Sequence, residues 1–200
     1  MVPHPVQLHI LRTESLPRVQ IAVRVVLVVA LGFVAWSSLY WLLYLALPAA
    51  VALDLLHRGM ETFVDRDAPR LVRALRWLAG AEAYLFFLTN DLPTSTGGAV
   101  DLQVQVSGAP TAGGALLRLL FSLPALVLVA ILTAASSLIW IAAAGVALVT
   151  ERLPGVFGDL FVAVLRLKYR LLAYHLSLVD RYPSLSEEGR RDEQDLPLVT

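Results

Sequence analysis

Five arginines and a few carboxylates are the residues of this chain whose type and spacing could do chemistry. Arg24 and Arg118 each open a long apolar run, Arg76 and Arg166 each sit in a later, more polar stretch, and Arg170 follows one helical turn after Arg166. A guanidinium carries five donors in a rigid fork, so arginine at headgroup depth can anchor a helix or hold a lipid phosphate. Asp91 and Asp180, near Pro93 and Pro183, can pair with these arginines or cap turns. Asp54, His57, Glu61 and Asp65 fall along one helical face and could ligate a divalent metal. Arg58, Arg66 and Asp67 interleave with them, however, and Gly59 weakens the helix, so a solvated acidic–basic turn is the reading adopted and no metal site is expected. Glu82 lies in an apolar stretch, where a carboxylate can relay protons. Leu78, Ala79, Leu85 and Phe86, one turn away, cannot pair with it, which leaves Arg76 or a partner chain.

Other chemistry is missing from the sequence. There is no cysteine, which removes thiolate catalysis, thiolate metal sites and disulfides. No phosphate-binding glycine loop, dinucleotide fingerprint, nucleophile elbow or zinc-protease motif occurs. His4, His9, His57 and His175 are too scattered to pair as haem ligands. No cofactor and no catalytic residue are expected. The formal net charge is zero, so bulk attraction to nucleic acid is not expected either.

The elements that must position the arginines are apolar. Of 200 residues, 58% are hydrophobic and 16% charged, against about 25% charged in a soluble domain. Arg24 to Asp54 and Arg118 to Glu151 each bracket more than the ~20 apolar residues needed to cross a bilayer. Trp36, Tyr40, Trp41 and Tyr44 in the first run, and Trp140 in the second, read as packing groups. Ala130, Ala134 and Ser137, and Ala143 and Ala147, carry small-residue spacing that permits close helix contact.

The chain also reads as one unit of about ninety residues written twice. Val6-Gln7-Leu8-His9-Ile10 corresponds to Val100-Asp101-Leu102-Gln103-Val104, both with the alternation of a half-buried strand. Arg24 corresponds to Arg118, Ser37-Ser38 to Ser136-Ser137, Arg76 to Arg166, Ala83-Tyr84 to Ala173-Tyr174 and Pro93 to Pro183. The spacing predicts a first membrane repeat over 1–95, a second over 96–185 and a polar, disordered tail over 186–200. Each repeat is expected to hold a strand, a long transmembrane helix (about Val23 to Ala46, and Leu116 to Val149 with a kink at Pro124) and an amphipathic helix (Leu71 to Leu88, and Val156 to Val179). The fold class is thus mainly α, integral membrane, a tandem pseudo-two-fold repeat with one short paired strand from each copy. Strand pairing puts both strands on one side of the membrane and requires an even number of crossings per copy. The favoured reading returns the amphipathic helix through the membrane; the other bends the long run back on itself.

The run Val149-Thr150-Glu151-Arg152-Leu153-Pro154, then Val164-Leu165-Arg166-Leu167, Arg170, Ala173-Tyr174 and Asp180-Arg181-Tyr182-Pro183, resembles the bacterial membrane family known as domain of unknown function 4389. Glu151, Leu153 and Leu167 stand where that family's pattern has glycine, tyrosine and tryptophan. The first copy is a diverged version that keeps Arg76-Trp77, Ala83-Tyr84 and Asp91-Leu92-Pro93. The resemblance implies bacterial membrane location and often tandem copies, and no activity.

The function expected is that of a non-enzymatic, multi-pass protein of the bacterial inner membrane, an accessory or scaffolding subunit or a homo-oligomer. Its partners would be membrane lipids and other membrane subunits or itself. The alternative is a lipid-binding or transport element in which Arg24, Arg118, Arg76, Arg166 and Arg170 grip headgroups.

Overall fold

Alternating apolar residues bury one face of each strand. β1 (Val6–Ile10) and β2 (Val100–Val104) form a two-stranded antiparallel sheet in which Leu8 faces Leu102 and Val6 faces Val104. The structure, a computed structural model, describes residues 4–35, 39–93, 98–107, 110–121 and 123–182, without the side chains at 31, 33–35, 39–45, 112, 119, 125, 126 and 129. Leu8 and Leu102 are both buried, while His9 and Gln103 look outward. The Leu11 N–H donates to the Ala99 carbonyl and the Gln105 N–H to the Pro5 carbonyl. Hydrogen-bonded pairs alternate along an antiparallel ladder, so Leu8 and Leu102 form a pair whose own carbonyls point away from the partner strand.

Two helices run along this sheet. α3 (Ala68–Leu85) meets β2 at Leu102 through Arg76, and the Leu88 carbonyl just beyond its end accepts from the Thr13 N–H after β1. α6 (Gly155–His175) meets Arg12 at Asp159, Leu8 at Arg166 and the Ser107 N–H at the Leu178 carbonyl. Those three points order α6 antiparallel to β1. The result is a sheet layer on a helix layer.

Both helices stop in the same way. The Phe87 N–H donates to the Tyr84 carbonyl and the Leu88 N–H to the Ala83 carbonyl; Ser177 and Leu178 repeat this with Tyr174 and Ala173. Phe87 (φ 62°) and Ser177 (φ 56°) hold the left-handed position that closes such a Schellman turn. The turn ends each helix at Leu85 and His175, a few residues before the exits expected from sequence.

The apolar segments form α1 (Arg18–Ala35), α2 (Leu39–Thr62), α4 (Ala112–Phe121) and α5 (Leu123–Thr150). Residues 36–38, between α1 and α2, and 122, between α4 and α5, lie outside the described residues. Pro124, the expected kink, is the second described residue of α5, which begins directly after residue 122. Pro48 is carried inside α2, which breaks instead at Gly59 (φ 79°, ψ 166°). A π-helical turn, Phe63–Asp67, then leads into α3, so the stretch expected as a polar turn is mostly helical. Packing crosses between the halves: α2 lies against α4, and α1 against α5. Among the described residues, Ala130–Thr150 is long and apolar enough to cross a membrane. The cluster around Trp36 and the tail 186–200 lie outside the described side chains, and Trp140 stacks on Phe87 with its indole N–H donating to the Leu85 carbonyl.

The register makes a direct prediction. A non-hydrogen-bonded antiparallel pair has Cα atoms about 4.5 Å apart, within the range a disulfide spans. Leu8→Cys with Leu102→Cys will therefore crosslink on mild oxidation, and Ile10→Cys with Val104→Cys will not, as read by a mobility shift reversed by reductant.

Candidate functional site

At the central pair of the ladder, the outward carbonyls of Leu8 and Leu102 each meet a guanidinium from the helix beneath. Arg76 on α3 donates from Nε (3.3 Å) and Nη2 (3.2 Å) to the Leu102 carbonyl. Arg166 on α6 donates from Nε to the Leu8 carbonyl at 3.4 Å. The arginine of each half thus satisfies the strand of the other half. A guanidinium suits this role because its fork reaches a fixed carbonyl without reorganisation.

A second arginine pair ties the first helix of each half to the turn after α3 or α6. Arg118 on α4 donates to the Val179 carbonyl (3.1 Å) and the Tyr174 carbonyl (3.5 Å) and forms an ion pair with Asp180. Its guanidinium carbon lies 5.2 Å from the Tyr174 ring centre. Arg24 on α1 is fully buried and donates to Asn90 Oδ1 (2.9 Å) and Gln20 Oε1 (3.0 Å). It lies 4.0 Å from the centre of the Tyr84 ring. Asn90 in turn donates to Thr13 Oγ1 and the Ser15 carbonyl, closing the same corner of the molecule.

The two corners differ in one atom type that matters. Arg118 has a carboxylate, whereas Arg24 has only neutral acceptors among the described residues, and its Nε and Nη1 take no hydrogen bond there. Asp91, one of the two carboxylates expected to pair with an arginine or cap a turn, donates its backbone N–H to Thr89 Oγ1. The residue that reaches Arg24 is its neighbour Asn90. The spacing from Tyr84 to Asn90 equals that from Tyr174 to Asp180, and this was the signal in the sequence that would have found it.

Arg170 is buried on α6, and His175 is buried one turn and a half later. Glu82 is not left to Arg76 or a partner chain: Lys168 of α6 reaches it at 2.5 Å, with both side chains largely buried. This contact joins α6 to α3 and has no counterpart in the other half, where Leu172 and Leu78 hold the matching positions. Asp54 pairs with Arg58 (3.4 Å), and Asp67 with Arg58 (3.7 Å) and Arg70 (3.3 Å). Among the described residues, no three histidine or carboxylate groups stand close enough to hold a metal ion. Arg12 to Asp159 (2.5 Å) and Arg18 to Glu151 (2.9 Å) add ion pairs between the halves that sequence reasoning missed, because nothing in local spacing links residues so far apart.

Residues 113–186 match the family model described as domain of unknown function (DUF4389). The matched stretch is less than half of the chain and takes in α4, α5, α6 and the turn holding Asp180. The family region therefore contains Arg118, Arg166, Lys168 and Arg170, while the strands that accept from Arg166 and Arg76 lie before it. No curated protein and no solved structure matches the chain. The hydrogen bonds that Arg24, Arg76, Arg118 and Arg166 make go to protein carbonyls and to neutral or anionic side chains within the chain.

Two predictions follow from the charges. Gln20→Glu supplies Arg24 with the counter-ion that Arg118 already has while leaving the bonds of Asn90 in place, and will raise stability by about 1 kcal/mol, read as a higher melting temperature in mild detergent. Burial holds the His175 imidazolium below its ordinary pKa, opposed by its contact with the Leu171 carbonyl. A group whose pKa is depressed by folding leaves the unfolded chain binding more protons, so stability is complete above about pH 6.5 and falls as the pH drops through the folded value. Melting temperature between pH 7.5 and 5 will decline, and His175→Gln will flatten that decline.

Proposed function

We propose that this chain is an integral protein of the bacterial inner membrane, built from two tandem repeats, that works without catalysis as an accessory or scaffolding subunit or as a homo-oligomer. The observation that carries the membrane part is the apolar surface of α1, α4 and α5. Val26, Val29, Leu120, Ile131, Leu138 (73% exposed) and Val149 (75% exposed) all face outward. An exposed apolar surface of this extent marks contact with lipid or with another protein. α6, by contrast, is buried on nearly every side.

The repeat reading rests on bonds that recur at matching positions. Arg76 to Leu102 matches Arg166 to Leu8; Thr13 to Leu88 matches Ser107 to Leu178; Arg24 to Asn90 matches Arg118 to Asp180. Both helix-ending turns and both strand-end bonds pair in the same manner. The two halves then relate by an axis through Leu8 and Leu102, as in an isologous contact between identical subunits.

The arrangement favours a different crossing pattern from the one expected. A two-stranded sheet keeps open edges and does not belong in hydrocarbon. α3 and α6 run along that sheet, so they lie at the membrane surface rather than returning through it. The Leu16 N–H donates to the Glu151 carbonyl, which brings the end of α5 back to the start of α1. The long apolar runs are thus the segments that leave and re-enter the sheet side, which keeps the even number of crossings.

The accessory role follows from what the polar groups do and what the apolar ones leave open. The arginines, Glu82 and Lys168 are engaged within the chain. Ala143 and Ala147 are buried inside it, but Ala134 and Ser137, on α5, remain exposed beside Leu138 and Ile141. A small-residue face among large apolar side chains suits a partner helix. Membrane fractions will retain the protein after alkaline carbonate washing, and purification in mild detergent with mass spectrometry will find a second copy or another membrane chain. Ala134→Trp will abolish that association while leaving the melting temperature unchanged. A monomeric, partnerless particle would count against the scaffolding role.

A further inference from the structure

A groove of about 310 Å³ runs down the first half of the molecule, lined by Leu47, Ala50 and Val51 of α2, Leu71 of α3 and Leu176 after α6, with Asp54, Asp67 and Arg70 at its mouth. The matching place in the other half is closed. Leu71 stands five residues before Arg76 and Phe161 five before Arg166; Leu176 stands two after Tyr174 and Phe86 two after Tyr84. Phe86 and Phe161 pack with ring centres 4.8 Å apart. Two leucines therefore leave open what two phenylalanines fill. The groove's walls are apolar along α2, and its charges gather at the end of that helix. That is the distribution an acyl chain and its headgroup would meet where the apolar run gives way to the surface helix.

The mouth carries both charges. Arg70 is about half exposed (55%), and among the described residues only its Nη1 is engaged, in a 3.3 Å contact with Asp67 Oδ1. The other Asp67 oxygen, Oδ2, is buried and lies 3.7 Å from Arg58. Asp54 is partly exposed (26%) and meets Arg58 through Oδ1 at 3.4 Å. Arg70 thus presents free donors at the same mouth as an accessible carboxylate. A headgroup with a phosphate and an ammonium complements both at once, the phosphate accepting from Arg70 and the ammonium donating to Asp54. An anionic headgroup with hydroxyls only would bring no cation to Asp54. We infer that this groove binds a single phospholipid with a zwitterionic, primary-ammonium headgroup, its acyl chain against Leu47, Val51, Leu71 and Leu176.

The inference rests on the membrane reading above, and the test separates the two. The full chain is reconstituted in nanodiscs holding equal phosphatidylethanolamine and phosphatidylglycerol, then released into mild detergent and weighed by native mass spectrometry. One phosphatidylethanolamine will stay bound. Arg70→Ala will reduce its occupancy at least tenfold, and Leu71→Phe with Leu176→Phe, which copies the closed half, will remove it with melting temperature unchanged. Retention of lipid in that double variant, retention of phosphatidylglycerol instead, or a lipid-free wild-type protein that still inserts into nanodiscs would each overturn the groove assignment alone. Failure to insert at all would overturn the membrane reading on which it stands.

Discussion

The strand carbonyls of Leu8 and Leu102 impose the constraint on which the rest of the molecule depends. A sheet of only two strands cannot satisfy its outward carbonyls by adding a neighbour, and an open edge invites unwanted pairing. Here the two central outward carbonyls accept from arginines on the helices below, Arg166 for Leu8 and Arg76 for Leu102. Because each arginine serves the opposite half, neither half completes its hydrogen bonding alone. The direction of α3 and α6 along the strands, and the buried position of α6, follow from keeping both arginines within reach. Cutting the chain between halves would leave each with an unsatisfied edge.

Charge is used sparingly elsewhere. Arg118 is held by two carbonyls, a carboxylate and the Tyr174 ring; Arg24 is held by two neutral amides and the Tyr84 ring. Cation–ring contacts compensate part of the desolvation of a buried guanidinium. Lys168 and Glu82 form the contact that makes the two halves unlike, at the place where α3 and α6 meet. The Leu71 and Leu176 groove is the other departure from likeness. Under the proposed duplication, both departures mark where the first half has been freed from purely holding the fold together.

Much of the local structure could be read from the sequence. Alternation in Val6–Ile10 and Val100–Val104 located both strands, and matching them predicted their pairing. The second helices were placed within a few residues, with errors at their ends because Phe87 and Ser177 adopt a left-handed turn that neither residue type advertises. The arginines stand out in the sequence, and Asp180, one of the carboxylates that could pair with them, does meet Arg118; their other partners do not stand out. Arg76 and Arg166 bond to backbone carbonyls, which carry no residue signature. Asn90, which meets Arg24, carries no charge to mark it as an arginine's partner. Lys168 and Glu82 lie on different helices, so periodicity within either could not join them.

The absence of cysteine from the chain makes the central claim directly accessible. It holds that the sheet and the whole length of α6 lie on one membrane surface. Single cysteines at Gln103, at Val156 before the body of α6 and at Tyr182 beyond its end can be reacted with a membrane-impermeant maleimide in right-side-out and inverted vesicles. The account predicts that all three label from the same side. Labelling of Val156→Cys and Tyr182→Cys from opposite sides would place α6 across the membrane and contradict it.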